Sequence, residues 1–470
     1  MNTLLDHIRE ATRSSIYDGQ VYLVGGVLRD EQMPSMAPAG TCLPTALSDD
    51  IDLVLEGSAT DLAQFLAEKG LSDHTPVLYP RFGTAMLTIQ GMQLEIVTAR
   101  AESYDSASRK PDVRPASLIA DAMRRDFTIN TLMRNLHTGE LLDLTGRALE
   151  DIRAGLIRTP LDPLVTFNDD PLRMLRAVRF ASRFRFRIDT KTEDAIRKKS
   201  NRLDLIHTDN PVVSAERIRD EFCKMMMCRE PAGAVEMLRG YGLLEQFAPE
   251  LLAMIGYTQN AWHIHDVWDH TMGALASIRE DAPLEWRLAV LLHDIGKTAT
   301  RTEDERGIHF YEHQFVGAQM ANVILHRLKF SNEQIRDITT LVEQHMRLGE
   351  ARPGWSDAAV KRLIRDVGER AEALFEIGRC DISSMSPDAG VTDLAALRHR
   401  MEELERMANV TRIQSPLDGV EIMTGLNIPG GPVIRKAKEF LINEIIDGRL
   451  PDGDKQQALA RLAEWYSERV

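Results

Sequence analysis

The strongest constraint on the fold is a change of hydrophobic period along the chain. β-rich runs stand at VYLVGG (21–26), DIDLVLEG (50–57), TAMLTI (84–89) and LEIVTAR (94–100), with helical patterns between them. Short runs of this kind, bounded by turn residues, make a sheet with helices laid against it. From about Asp143 the β-rich alternation stops, and amphipathic stretches rich in Leu, Met, Arg and Glu continue to the C-terminus. The pattern predicts an α+β chain: a small mixed-sheet head with helices, then an elongated all-α body. MPSMAPAGTCLP (33–44) reads as a loop from its Pro and Gly content. A length of 470 residues implies several domains, since single cores stop growing at roughly 250–300 residues. The divisions expected are 1–138, 139–250, 251–385 and 386–470.

Composition limits the partners. The chain carries 57 Lys+Arg against 71 Asp+Glu, a net charge of −14. That sign excludes a protein that coats nucleic acid indiscriminately, so any RNA would have to meet a local basic patch. The four cysteines, Cys42, Cys223, Cys228 and Cys380, form no CxxC pair and no disulfide framework, which points to the cytoplasm. Asp6, Arg9 and Glu10 leave no apolar core for a signal peptide, and no apolar run is long enough to span a membrane.

Several head residues are types that handle phosphates. Gly25 and Gly26 end a β-rich run just before a helical pattern, where glycine lets backbone N–H groups approach a phosphate. Asp50 and Asp52 stand two apart in a strand pattern and so share a face, with Glu95 as a candidate third carboxylate. Such a set suits a two-metal phosphoryl-transfer site. Arg124, Arg125, Asp126 and Asn130 combine guanidinium forks with a carboxylate and an amide, groups that grip phosphates and sugar hydroxyls. Asp169, Asp170 and Pro171 are expected to open a helix carrying Arg173, Arg176 and Arg179 three apart. There Asp170 and Arg173 can offer an acceptor and a forked donor to the edge of a base. With Arg183, Arg185 and Arg187 following, this is the most basic stretch of the chain.

A second cluster lies in the helical body. It comprises HDVWDH (265–270), AVLLHDIGK (289–297), YEH (311–313), EQH (343–345) and Cys380-Asp381. Imidazoles with carboxylates from several helices suit a divalent transition metal, and Asp294 could bridge two ions.

The motifs GGVLRD (25–30), DIDL (50–53), RRDFTIN (124–130), DLTGRALEDIRAGLIRT (143–159), DDPLRMLRAVRFASRF (169–184) and ERIRDEF (216–222) closely resemble the tRNA nucleotidyltransferase/poly(A) polymerase family of the eubacterial and eukaryotic type. Its head is related to DNA polymerase β. The resemblance implies that Asp50 and Asp52 bind Mg²⁺ with Glu95 in support, and that Gly25, Gly26 and Arg29 hold the triphosphate. Arg124, Arg125, Asp126 and Asn130 would contact ribose and phosphates. Asp170 and Arg173 would pair with incoming CTP or ATP in place of a template strand, next to Arg176 and Arg179. The chain departs from the family in having Asp169 where glutamate is usual and in a longer connection at 31–48. The segment 100–115, with Glu102, Tyr104 and Arg109, matches a loop that the family associates with adding the terminal A.

The body cluster resembles the HD phosphohydrolase superfamily. That implies His270, His293, Asp294 and Asp381 as ligands of one metal, His313 and His345 as ligands of a possible second, and Lys297 near a phosphate. A 2′,3′-cyclic phosphodiesterase or phosphatase acting on RNA ends would follow. The segment Ile422–Val470 is mixed in charge, unlike the basic extension of bacterial poly(A) polymerases. The expectation is therefore a CCA-adding enzyme acting on the tRNA 3′ end, without membrane or DNA partners. The rivals are an A-adding enzyme with a separate CC-adding partner, a poly(A) polymerase, and an HD phosphohydrolase or RNA-end binder whose transferase head is inactive.

Overall fold

The computed structural model describes residues 2–43, 51–103, 112–259, 265–305, 307–351, 354–385 and 392–467. They divide into two compact units, Met1–Leu252 with Ile324–Phe330, and Ala253–Val323 with Ser331–Val470.

The first unit opens with α1 (Asn2–Thr12), β1 (Tyr22–Val24), α2 (Gly26–Met36), β2 (Ile51–Leu55) and α3 (Ala59–Glu68). Strands β3 (Val77–Tyr79), β4 (Thr84–Ile89) and β5 (Met92–Thr98) follow, then a two-stranded ribbon of β6 (Arg100–Ser103) and β7 (Asp112–Pro115). Helix α4 (Leu118–Met123) leads to β8 (Met133–Asn135) and β9 (Leu141–Leu142). Seven strands form one mixed sheet in the order β3-β4-β5-β2-β1-β8-β9, in which only β2 and β5 pair in parallel. Strand β2 is central, and Ile51, Leu53, Val54 and Leu55 are all buried. That is why its sequence reads as a nearly continuous apolar run interrupted by Asp52. Helix α3 is capped by Ser58, whose hydroxyl accepts from Asp61 N, and it buries Ala59, Leu62, Ala63 and Leu66 at helical spacing against the sheet.

The same unit continues with α5 (Ala148–Ala154), β10 (Leu156–Ile157), α6 (Pro163–Asp169), α7 (Leu172–Phe184), β11 (Arg187–Ile188), α8 (Thr190–Lys199), α9 (Ala215–Met226) and α10 (Pro231–Gly240). Helix α7 is the hub, packing on both α9 and α10.

The second unit holds α11 (Val267–Ala276), α12 (Leu284–Leu292), α13 (Lys297–Thr300), a hairpin of β12 (Arg301–Asp304) and β13 (Gly307–Phe310), and α14 (His313–Arg327) as far as Val323. It continues with α15 (Asn332–Gln344), α16 (Asp357–Val367), α17 (Ala371–Ser383), α18 (Leu394–Ala408), α19 (Gly419–Leu426), α20 (Pro432–Ile446) and α21 (Lys455–Ser467). Helices α11, α12, α15 and α17 pack on one another. No helix among the described residues is long and apolar enough to cross a membrane.

Three expectations need correction. The loop over 33–44 begins later than its breakers suggest, because α2 runs on to Met36. Pro34 removes a single helical N–H, and burial of Met33 holds the final turn. The body is not free of strands: β10 pairs with β11 in parallel, and the hairpin β12–β13 stands among the helices. All four β12 side chains are exposed, so no alternation of apolar residues announces the strand. Asp169 and Asp170 do not open α7 together, since Asp169 ends α6 and Asp170 lies at the joint.

Candidate functional sites in the head and the helical body

At the end of β1 the chain turns through Gly25, at φ +89°, into α2. A Cβ on Gly25 would sit 3.0 Å from Asp52 Oδ2, so glycine is required both by the backbone angle and by the carboxylate beside it. Asp52 lies opposite Val24 on β1 and beside Glu95 on the parallel strand β5. The pairing puts the half-buried Asp52 and the exposed Glu95 on one face of the sheet, next to the N-terminus of α2. Asp50, together with residues 44–49 and the segment 104–111 that contains Tyr104 and Arg109, lies outside the described residues.

In the same unit, buried acids neutralise the expected phosphate-binding arginines. Asp121 is fully buried and receives Arg124 Nη2 at 2.7 Å and Arg125 Nη2 at 3.1 Å. Burial works to raise its carboxyl, and the two guanidinium groups hold it below its ordinary value. Asp126 accepts from Asn130 Nδ2 at 3.0 Å, Phe127 N at 2.8 Å and Arg176 Nε at 2.7 Å, which ties RRDFTIN to α7. Burial opposes ionisation here too, but Arg176 and the Asn130 amide bring the carboxyl down to about 2.

Arg29 is 4% exposed. It donates to Asp30 Oδ1 and Asn130 Oδ1, both at 2.7 Å, and its guanidinium lies over Phe184 and Phe180, 4.7 and 5.2 Å from the ring centroids. These contacts make it a brace between α2 and α7.

The basic stripe of α7 is not a surface. Arg173 and Arg179 are each 9% exposed, and Arg179 Nε reaches Glu221 Oε2 at 2.9 Å. Arg176 and Arg179, three residues apart, turn toward the face packed on α9, where the buried Glu221 lies 3.8 and 2.9 Å from them. The exposed positive charge of this stretch comes from Arg183, Arg185 and Arg187, and Arg185 pairs with Glu230.

Asp170 accepts from Leu172 N at 3.1 Å through Oδ1 and from Arg217 Nη2 at 2.8 Å through Oδ2. Arg173 follows on the first turn of α7, its backbone N–H bonded to Asp170 O at 3.1 Å. Asp121, Glu221 and Arg217 are parts of the site that sequence reasoning missed. Two of them lie inside ERIRDEF, and the signal was there: several arginines confined to an apolar helix need acids from a neighbouring element.

The second centre draws one or two side chains from each of five places. His270 comes from α11, His293 and Asp294 follow α12, His313 starts α14, His345 follows α15, and Asp381 lies on α17. Close backbone approach makes this convergence feasible, since a Cβ on Gly296 would fall 2.1 Å from His313 O. His270, His293 and Asp381 form one group, and Asp294, His313 and His345 a second, with the ligand atoms of each within 4.8 Å of one another. Asp294 faces both groups. Its Oδ2 lies 3.2 Å from His293 Nε2 and 3.5 Å from His270 Nε2, and its Oδ1 lies 3.4 Å from His313 Nε2.

The imidazoles are oriented as metal ligands require. Nδ1 of His293, His313 and His345 faces the backbone carbonyls of Val290, Phe310 and Val342 at 2.7, 2.9 and 2.7 Å, and His270 Nδ1 faces Ser384 Oγ at 3.0 Å. Each Nε2 therefore points inward, toward the carboxylates of Asp294 and Asp381, as the coordinating nitrogen of a metal-bound imidazole does. Without a cation, burial lowers the His293 imidazole, but Asp294 and Asp381 pull it up to about 10. The same carboxylates that hold a proton there would favour a divalent ion, so the donor set fits a metal. Burial, with His293 and His313 adding to it, pushes His345 down to about 3, and its Nε2 lies 3.3 Å from His313 Nε2. Lys297 Nζ, expected near a phosphate, is 2.6 Å from Asp294 Oδ2 and 2.7 Å from Gln259 Oε1.

Known proteins share this organisation. The Poly A polymerase head domain family matches residues 21–158, the family described as the probable RNA and SrmB-binding site of polymerase A matches 185–255, and the HD domain family matches 235–405. The CC-adding tRNA nucleotidyltransferase of Thermus thermophilus is 31% identical over 359 residues, covering 74% of this chain and 78% of that protein. The A-adding tRNA nucleotidyltransferase of Deinococcus radiodurans is 30% identical over 363 residues, covering 75% and 81%. The crystal structure of the Bacillus stearothermophilus CCA-adding enzyme in complex with CTP shares the fold over 100% of this chain and 99% of that one, with a TM-score of 0.69 at 20% identity. A mixed-sheet head with Asp52 and Glu95 on one face, matched along most of its length by such relatives, makes the chain a member of the tRNA nucleotidyltransferase/poly(A) polymerase family, with an HD domain in its helical body.

Proposed function

We propose that the protein builds the CCA end of tRNA, transferring CMP and AMP from CTP and ATP to the 3′ hydroxyl. The observation that carries this reading is the placement of Asp52 beside Glu95 and under Gly25, in a head of this family. Asp50 and Asp52 would hold Mg²⁺, with Glu95 in support. A bound ion lowers the pKa of the attacking hydroxyl and offsets triphosphate charge. The 3′ oxygen forms a bond to the α-phosphorus, the bond from that phosphorus to the bridging oxygen breaks, and pyrophosphate leaves. Gly25 and Gly26 let backbone N–H groups approach the triphosphate at the start of α2. Arg124, Arg125, Asp126 and Asn130 line the ribose and phosphate side. Asp170 and Arg173 read the base edge, and their hydrogen bonds reject bases that leave them unpaired. Such a protein works in the cytoplasm, where tRNA and nucleotides are, and needs neither DNA nor a membrane.

The second centre, in this reading, hydrolyses phosphoesters at RNA ends. Its six ligands would hold up to two divalent transition metals that polarise the phosphate. Water adds its oxygen to phosphorus, one bond to a ribose oxygen breaks, and that oxygen takes the proton.

An A-adding enzyme is the rival that the relatives keep alive, because CC-adding and A-adding proteins match this chain almost equally well. Purified protein, tRNA lacking its tail or ending in C or CC, and labelled CTP or ATP separate the two. Growth by CCA supports the proposal, and growth by A alone on the CC substrate supports the rival. Asp52→Ala should abolish incorporation and spare hydrolysis. Replacing His293 and Asp294 by alanine should do the reverse.

A further inference from the structure

The cavity at the second centre has a volume of about 350 Å³, and metal ligands form only part of its wall. His309, Phe310 and Tyr311, at the end of the hairpin β12–β13, line it as well, with Met346 and Met385. Tyr311 is 67% exposed. The His309 ring stacks on it, with centroids 5.2 Å apart and planes 15° from parallel.

Local structure holds this pair in place. His309 Nε2 lies 2.9 Å from Asp304 Oδ1 across the hairpin. Phe310 packs on Tyr257, at 6.5 Å between ring centroids, and carries Lys297 Nζ 5.6 Å from its own centroid. Glu312 has φ +61°, a conformation that a glutamate adopts only when its surroundings impose it. That turn sends Tyr311 outward and His313 inward within two residues. His313 Nδ1 and Phe310 O are 2.9 Å apart, so the hairpin end is hydrogen-bonded directly to a ligand of the centre. Neither His309 nor Tyr311 belongs to either group of ligands.

We propose that Tyr311, backed by His309, is a base-stacking shelf that makes the second centre selective for phosphoesters carried on a nucleoside. The inference rests on reading that centre as a phosphoesterase, and adds the part of the substrate that it recognises. A near-parallel ring pair with an open outer face accepts a third flat ring in the same offset geometry. Every base has such a face, so the contact tolerates any terminal nucleotide. The Met346 side chain, 39% exposed, supplies a polarisable apolar surface in the same cavity. A phosphoester on a non-aromatic alcohol would reach the metals but gain nothing from the shelf.

The test uses the full chain loaded with Mn²⁺ and two cyclic esters, adenosine 2′,3′-cyclic phosphate and glycerol 1,2-cyclic phosphate. Tyr311→Ala should raise KM for the adenosine ester about tenfold with kcat nearly unchanged, and leave the glycerol ester untouched. Tyr311→Trp should restore the adenosine KM. Equal losses on both esters, or no loss on either, would overturn the shelf. Should the wild type hydrolyse neither ester, the phosphoesterase reading fails on its own. Calorimetric binding of the adenosine ester then decides the shelf: weakening of about tenfold in Tyr311→Ala supports it, and unchanged binding removes it. Nucleotide incorporation into tRNA by the same variant shows that the chain is folded.

Discussion

Arg217 Nη2 donates to Asp170 Oδ2 at 2.8 Å, while Asp170 Oδ1 accepts from Leu172 N at 3.1 Å. Both oxygens have a partner, which favours one orientation of the carboxylate and directs its remaining lone pairs. A group that selects between bases by accepting a hydrogen bond needs that fixity. Arg217 comes from α9, a different helix from the residue it orients.

Arg217→Met should therefore loosen base selection without removing the acceptor. The Arg217 side chain is 52% exposed, and an exposed ion pair contributes up to about 1 kcal/mol, so kcat/KM for CTP or ATP should fall up to about fivefold. Incorporation of UTP and GTP should fall less, which narrows the ratio between right and wrong nucleotides. A uniform loss across all four would assign Arg217 a purely structural part.

Gly25→Ala tests the turn beneath the carboxylates. The substitution must adopt φ +89° and place a methyl 3.0 Å from Asp52 Oδ2. That pair of backbone angles, φ +89° and ψ −152°, is essentially confined to glycine and costs about 1–3 kcal/mol for an alanine. Transfer should be lost, and the urea midpoint of unfolding should drop. Full activity in this variant would remove the close approach of Gly25 and Asp52 from the mechanism.

The candidate site residues were legible in the sequence, and the residues packed around them were largely not. Asp52, Glu95, His293 and Asp294 stand in short motifs whose spacing already fixes a shared face or a shared helix end. Asp121 and Glu221 act by neutralising arginines that only tertiary packing brings to them. The same packing buried Arg173 and Arg179 and left Arg176 half-buried against Asp126 and Glu221, so the three-residue repeat is not an open basic face. Strands β3, β8 and β9, of three, three and two residues, are too short to show a period of two. The hairpin β12–β13 was hidden because β12 is polar on both faces. Its aromatic end became visible only when the fold brought it to the cavity of the second centre.

Asp126 gives a pH signature with a definite sign. Its folded carboxyl is depressed from 3.8 to about 2, so its contribution is complete above the unfolded value and is lost as pH falls through the folded one. A shift of that size corresponds to about 2 kcal/mol. Asp126→Asn should lower the urea midpoint by an equivalent amount near neutrality. The gap between wild type and variant should begin to close below about pH 4. A gap that stays constant down to the acid transition would show that the Arg176 pair is not what sets it.

The cage around Asp294 should bind divalent metal, and stability reports this independently of catalysis. Four imidazoles turn Nε2 toward two buried or half-buried carboxylates, a donor set that suits a divalent ion. A ligand that binds only the folded state stabilises it by about 2.7 kcal/mol at a hundred times its dissociation constant. Added Mn²⁺ or Ni²⁺ should raise the unfolding temperature of the full chain, and a chelator should reverse the rise. His313→Ala disrupts the second group and leaves His270, His293 and Asp381, so bound metal should fall from two equivalents to one. Asp294→Asn weakens the residue that faces both groups and should reduce both. Metal must displace the proton that Asp294 and Asp381 hold on His293 up to about 10, so the thermal shift should grow as pH is raised from 7 toward 9. A wild-type chain that retains no metal, and whose unfolding temperature ignores it, would leave these six residues as a structural core and withdraw hydrolysis from the second unit.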